Sequence, residues 1–199
     1  MKDAHPDLNQ RIAARVRDLR SGLRLSLDGL ERRSGVSRSM ISLVERGESS
    51  PTAVVLEKLA SGLGVNLPDL FDAPSEANPA STGPVSRRGD QLEWEDPASG
   101  YVRRNVSPPC VPQPMRIVEV RFPAGKRVAF DNAGRDASVH QQIWVLDGSI
   151  DVTVGRKRHR LLRGDCLAMQ LDQPVMFHNP TRKATRYAVV IASELPARR

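Results

Sequence analysis

The sequence predicts two dissimilar domains, an all-α unit of five short helices followed by an all-β barrel, so the fold class is α + β multidomain. Three observations predict it. Apolar residues recur every three or four positions from Leu8 to Phe71. Residues 73–91, APSEANPASTGPVSRRGDQ, have no apolar period and the Pro, Ala, Ser and Gly content of a linker. From Tyr101 onward, short β-rich runs alternate with turn signals. The predicted boundaries are 8–72 for the helical domain, 73–91 for the linker and 92–199 for the barrel.

Leu8, Ile12, Val16, Leu19 and Leu23 form the apolar stripe of a first helix, with Arg11, Arg15 and Arg20 off it. Ser26 is placed to cap a second helix, and Leu27 and Leu30 face inward. Gly35 supplies the positive φ that a sharp turn between helices needs. Ser37 caps a third helix with Val36, Met40, Ile41 and Val44 on its buried face. Arg38, Ser39, Ser42 and Arg46 fall on the opposite face. Ser50-Pro51 reads as the start of a fourth helix, ended by Gly62 and Gly64. Asn66 caps a short fifth, with Leu67, Leu70 and Phe71 apolar.

In the second half the predicted strands are 115–122, 126–130, 139–146, 150–154, 166–171, 175–178 and 186–191. Asp147-Gly148 signals a type I′ hairpin between IWVL and SIDVTV. GRKRHRLLRG, with His159 inside it, reads as a basic, solvated edge. Such a series of short strands makes a sandwich or barrel.

The chain has 199 residues, a net charge of +7 and a pI of about 10.1. A basic balance favours polyanion partners, yet residues 1–75 hold 11 Lys and Arg against 10 Asp and Glu. The excess lies in the second half. Only two cysteines occur, Cys110 and Cys166, with no CxxC spacing. That excludes a disulfide framework or zinc knuckle and suits a reducing compartment. The polar N-terminus has no signal core, and no window reaches the roughly 18 apolar residues needed to span a membrane. A cytoplasmic protein without membrane association is expected.

Two stretches carry a family resemblance. GVSRSMISLVERGESSPT (35–52) followed by LEKLASGLGV (56–65) resembles the lambda-repressor-like, XRE-type helix-turn-helix domain, and the likeness extends over residues 11–71. Glu31 departs from it, standing where the family usually has a small residue. The resemblance implies that the third helix enters the major groove of double-stranded operator DNA. Arg38 is then the first candidate for a bidentate contact to guanine. Ser39 and Ser42 touch bases or phosphates. Arg46 either holds phosphate or pairs with Glu45 or Glu48. Ser26 and Ser37 offer helix N-terminal amides to phosphates. One reader spans only a few base pairs, so a homodimer on half-sites about one helical turn apart is expected.

The second stretch runs from Pro123-Ala-Gly125 through HQQIWVLDGSIDVTVG (140–155) and LLRGD (161–165) to QPVMFHNP (173–180). It resembles a small cupin, a double-stranded β-helix or jelly-roll barrel. Many cupins hold a divalent metal through a Glu and three His. Here the matching positions are Gln141, Arg135, Ala137 and Val175. Gln is a poor neutral ligand and Val is none, so no metal, no cofactor and no catalytic residues are expected. His140 and His178 are displaced from those positions along their strands. Strand parity puts Gln141, Ile143 and Val145 on one face, and Val175 and Phe177 on another that meets it. These five residues line either a filled core or a pocket for a small organic effector, and the sensing architecture implies the pocket. The leading expectation is a dimeric DNA-binding regulator controlled by an effector. The alternative is a cupin-class enzyme with an accessory helix-turn-helix module.

Overall fold

A computed structural model describes residues 8–71, 83–109, 114–132 and 139–193. Cys110, Arg135, Ala137 and most of the predicted linker (73–82) lie outside the described residues. The chain divides into two compact units, with the main boundary between Val85 and Ser86.

Among the described residues, the first unit holds four α-helices, α1 (Leu8–Gly22), α2 (Leu27–Ser34), α3 (Arg38–Glu45) and α4 (Ala53–Leu63). Ser26 caps α2 by accepting from Gly29 N (3.0 Å), and Ser37 caps α3 by accepting from Met40 N (3.3 Å). Both side chains take amides that a helix start would leave unpaired. Gly35, at φ 66°, sets the turn between α2 and α3. The core is closed by Ile12, Leu30, Ile41, Leu56, Leu70 and Phe71, all nearly or fully buried.

Four local expectations need correction. The fifth element, Leu67–Phe71, is a 3₁₀ helix rather than an α-helix. It is one turn long, and the Asp69 carboxylate reaches back to the Asn66 amide at 2.8 Å. The cap of α4 is Thr52, not Ser50 (Thr52 Oγ1 to Val55 N, 3.3 Å). The Ser50 hydroxyl instead receives Asn9 Nδ2 at 3.1 Å. Gly62 lies inside α4 rather than ending it: a Cβ there would meet Ser34 Cβ at 2.7 Å and Ser34 backbone at 3.0 Å. The closest helix approach is therefore α4 on the end of α2, and Glu31 stays half-exposed beside it. Leu23 lies beyond the end of α1, where Arg24 takes φ 53°, and is exposed.

Among the described residues, the second unit is a jelly roll of ten strands in two antiparallel sheets. The strands are β1 (Glu93–Glu95), β2 (Val102–Asn105), β3 (Met115–Phe122), β4 (Arg127–Phe130), β5 (Val139–Asp147), β6 (Ser149–Val154), β7 (Lys157–Leu162), β8 (Cys166–Gln170), β9 (Val175–His178) and β10 (Thr185–Ser193). Six form one sheet in the order β1-β2-β3-β10-β5-β8, and four form the other in the order β4-β9-β6-β7.

Asp147-Gly148 does not make a type I′ hairpin. β5 and β6 belong to different sheets, and Gly148 is the corner between them. A type I′ turn needs φ > 0 at both central residues, whereas Gly148 has φ 78° and Asp147 does not have positive φ. The positive φ of this corner and its close contact with Thr185 (3.0 Å from an added Cβ to Oγ1) favour glycine there. The tight hairpin of the barrel is instead Gly155-Arg156, joining β6 to β7. β7, read as a solvated edge, is a full edge strand. Its Arg158 folds back onto the buried Asp151 carboxylate at 2.5 Å, while His159 takes an inward register opposite Val152.

Candidate nucleic-acid interface

The third helix has two chemically distinct sides. Ile41 and Val44 are buried, and Arg38, Ser39 and Arg46 are exposed, with Ser42 half-buried beside them. Helical spacing of these residue types produces this split directly. Arg38 rests 3.5 Å from Asp28 of α2, both side chains being well exposed. Such a pair contributes about 0.2–1 kcal/mol, so Arg38 leaves it at little cost. The Ser37 and Ser39 hydroxyls lie 3.2 Å apart at the start of the helix. Arg46 donates to Ser42 Oγ at 2.5 Å and pairs with Glu48 at 2.8 Å. The Glu48 hydrogen bond raises the Arg46 pKa, and the same bond holds the Glu48 carboxyl below its ordinary range.

Of the two acids open to Arg46, Glu45 is unavailable because it points inward and is 6% exposed. Arg20 of α1 grips it side-on, Nε to Oε1 at 2.6 Å and Nη2 to Oε2 at 2.8 Å. The remaining Arg20 nitrogen donates to the Leu25 carbonyl at 2.8 Å, and Arg17 donates to the Glu45 carbonyl. A bidentate, charge-assisted fork of this kind fixes orientation as well as adding energy. It raises the Arg20 pKa through the Glu45 hydrogen bond and ties the C-terminal end of α3 to α1. The helical period marks Arg20 as lying off the apolar stripe and gives no partner for it. A signal was present: Glu45 stands four residues after Ile41, on the buried face.

In the barrel, Gln141, Ile143 and Val145 all point inward from β5, and Val175 and Phe177 inward from β9; all five are buried. Pairing places Arg116, Ile191, Gln141 and Met169 in one row across the six-stranded sheet. Phe177 stacks on Tyr187, with ring centroids 6.0 Å apart. His140 lies on the outer face of β5 and is exposed. His178 lies on the outer face of the other sheet, 3.9 Å from Asp151. Neither histidine projects into the interior.

The helix-turn-helix family HTH_3 matches residues 16–70. The HTH-type transcriptional regulator SutR of Escherichia coli (strain K12) is 35% identical over 180 residues, which cover 90% of this chain and 93% of that protein. The uncharacterized HTH-type transcriptional regulator y4dJ of Sinorhizobium fredii is 33% identical over 76 residues, 38% of this chain and 97% of that protein. Among solved structures, an HTH_3 family transcriptional regulator from Vibrio cholerae has the same fold, with a TM-score of 0.74 over 94% of this chain and 98% of that chain at 24% identity. With the capped, two-sided third helix, these likenesses place the chain in the XRE-type (HTH_3) family of transcriptional regulators, as a member whose second unit is a jelly-roll barrel.

Proposed function

We propose that this regulator reads its operator as a homodimer through α3 and that its barrel, residues 92–199, senses a small organic effector. The observation that carries the reading is the outward face of α3: Arg38, Ser39 and Ser42 lie on one side of a helix whose N-terminus is capped and whose far end is anchored to α1. In this reading Arg38 addresses a guanine edge, and Ser39 and Ser42 contact bases or backbone. Arg46 reaches phosphate in exchange for Glu48, and the amides after Ser26 and Ser37 face phosphates. Residues 8–72 are the reader and 73–91 the linker.

Dimerisation is supported by the outer face of the six-stranded sheet. Met115, Ile117 and Trp144 are exposed there, and Ala188, Val190 and Ala192 of β10 lie between them in register. A patch of about three residue rows on three strands covers roughly 300 Å² by strand spacing. That suits the apolar centre of a standard interface burying about 800 Å² per partner. Trp144→Lys should convert the dimer to a monomer in sedimentation velocity and weaken operator binding.

The effector site is assigned to Gln141, Ile143, Val145, Val175 and Phe177, without a metal and without catalysis. Quantitative mobility shift on a selected operator tests the DNA half of the reading. Arg38→Ala should relax the preference at one base position; a loss equal on all sequences would make it a phosphate contact. Metal analysis of the purified protein tests the other half, since stoichiometric iron, manganese, zinc or nickel would restore the enzyme alternative.

A further inference from the structure

The excess positive charge of the chain lies in its second unit. Residues 86–199 hold 19 Lys and Arg against 12 Asp and Glu, whereas residues 1–75 are nearly balanced. Within the barrel, the four-stranded sheet is the more one-sided of the two. Asp151 is the sole Asp or Glu in β4, β6, β7 and β9, and the same strands carry Arg127, Lys157, Arg158 and Arg160. Pairing sorts these side chains by face. Val128, Phe177, Val152 and His159 form one row across the sheet and point inward. Arg127, His178, Asp151 and Arg160 form the next row and point outward. Ser149, Thr153 and Arg158, two positions along their strands, share that outer face.

The second observation is how these arginines are held. Arg158 and Arg160 are more than half exposed, and between their strand and β9 sits Asp151, which is 2% exposed. Arg158 Nη2 donates to Asp151 Oδ2. Arg160 Nη1 stands 3.9 Å from Oδ1, and His178 Nδ1 stands 3.9 Å from Oδ2. Arg160 Nη2 also donates to Ser149 Oγ at 3.5 Å. Burying a carboxylate is unfavourable unless cations or donors hold it, and a merely solvated basic edge needs no such anchor. Asp151 gathers two guanidinium groups over one spot before any ligand arrives, which lowers the ordering cost of binding. Each guanidinium has five N–H donors and retains several for a ligand.

We propose that the outer face of the four-stranded sheet is a second DNA contact, a sequence-independent one, which takes the phosphate backbone through Arg127, Arg158 and Arg160 with Ser149 and Thr153 beside them. Arginine and hydroxyl side chains are the groups that meet phosphate oxygens. Arg127 and Arg160 stand three strand spacings apart, about 14 Å at the backbone, enough to reach phosphates on both sides of a minor groove about 6 Å wide. The choice of duplex DNA over other polyanions rests on α3 reading an operator, because a reader in the same chain brings phosphates to the barrel at high effective concentration. The face stays open in the proposed dimer, whose contact lies on the other sheet. The two units then divide the work: α3 supplies sequence preference, and the barrel supplies the electrostatic attraction that the nearly neutral helical unit lacks.

The test follows the full chain by fluorescence anisotropy on a selected operator duplex and on a scrambled duplex of equal length, between about 50 and 200 mM salt. Arg127→Gln and Ala129→Glu change the face at two exposed positions and leave Asp151 and its partners in place. Each should weaken binding to both duplexes by the same factor, about five- to tenfold near 0.1 M salt, and make the slope of log affinity against log salt shallower by about one. Arg121→Gln, the same charge change on the other sheet, should leave both readouts native. Arg38→Ala should instead change the preference between the two duplexes. Native slopes in both face variants, or a slope lowered equally by Arg121→Gln, overturn the proposal while Arg38→Ala still reports on α3. A loss confined to the operator duplex overturns it as well. So do face variants that lose binding of a polyglutamate probe and keep the duplex, which makes the partner an acidic protein. If the native chain binds neither duplex, the operator reading and this proposal fall together.

Discussion

Replacing Arg20 by alanine strands the Glu45 carboxylate inside the helical unit, and the cost follows from the geometry. Glu45 is 6% exposed, and the Arg20 side chain 17%. Removing one partner of a buried pair costs about 3–5 kcal/mol, mostly as the penalty of leaving the other charge unpaired. The residual exposure of Arg20 admits some water, which puts Arg20→Ala at the lower end, about 3 kcal/mol. For a unit of this size that lowers the midpoint by roughly 15 °C. Urea denaturation followed at 222 nm isolates the helical unit, because the barrel contributes almost no helix. A double-mutant cycle with Glu45→Leu apportions the cost. The coupling should be about 3 kcal/mol or more, with the apolar double variant close to native. A coupling below about 0.5 kcal/mol, the worth of an exposed pair, would refute the view that this fork anchors the reading helix.

Other perturbations have signs set by the structure. Arg38→Ala should remove about 1–3 kcal/mol of discrimination at one base pair and leave the melting curve unchanged, checked by competition binding and calorimetry. Gly62→Ala should destabilise the helical unit by about 1–3 kcal/mol despite alanine's better helix propensity, because the new methyl meets Ser34 backbone. Gly148→Ala should destabilise the barrel in thermal melts, through its φ of 78° and the contact with Thr185, by more than the roughly 1 kcal/mol typical of a strain-free Gly change. Burial pushes the Tyr101 phenol up to about 12, against a smaller opposing effect of Arg103. Its contribution to stability is therefore complete below pH 10 and is lost as pH rises from 10 toward 12; ultraviolet phenolate titration beside unfolding curves reads this directly.

The elements legible in the sequence are those whose side chains obey a single period. β3 runs over Met115–Phe122 as expected because Val118, Val120 and Phe122, on one face, alternate with charged residues, and α2 and α3 begin at the predicted serines because capping is a local interaction. The unread elements break those rules. β2 carries Arg103 and Arg104 at its centre, both buried. Arg104 is held there by Glu119 and Glu93 from neighbouring strands, partners that local pattern cannot supply. β7 is almost all basic, and it is a strand because Gly155-Arg156 folds it onto β6. The Asp147-Gly148 signal misleads for the same reason: the dipeptide specifies a sharp bend, and only the pairing partners decide whether the bend closes a hairpin or changes sheets. In the reader, the outward residues were visible, but the Arg20–Glu45 fork joins residues 25 positions apart and depends on how α1 crosses α3.

That fork bears on how control could work. Residues 1–75 carry one excess positive charge, so their nonspecific attraction to DNA is modest, and in the proposed homodimer operator binding rests on a few placed groups in each copy. A rigidly held α3 makes the spacing of two recognition helices the variable that an effector can alter. A tenfold change in operator affinity needs only about 1.4 kcal/mol of difference between the effector's affinities for the two dimer states. One charge-assisted hydrogen bond contributes about 1.5–3 kcal/mol. One such bond, made in one dimer state and lost in the other, therefore supplies the whole coupling.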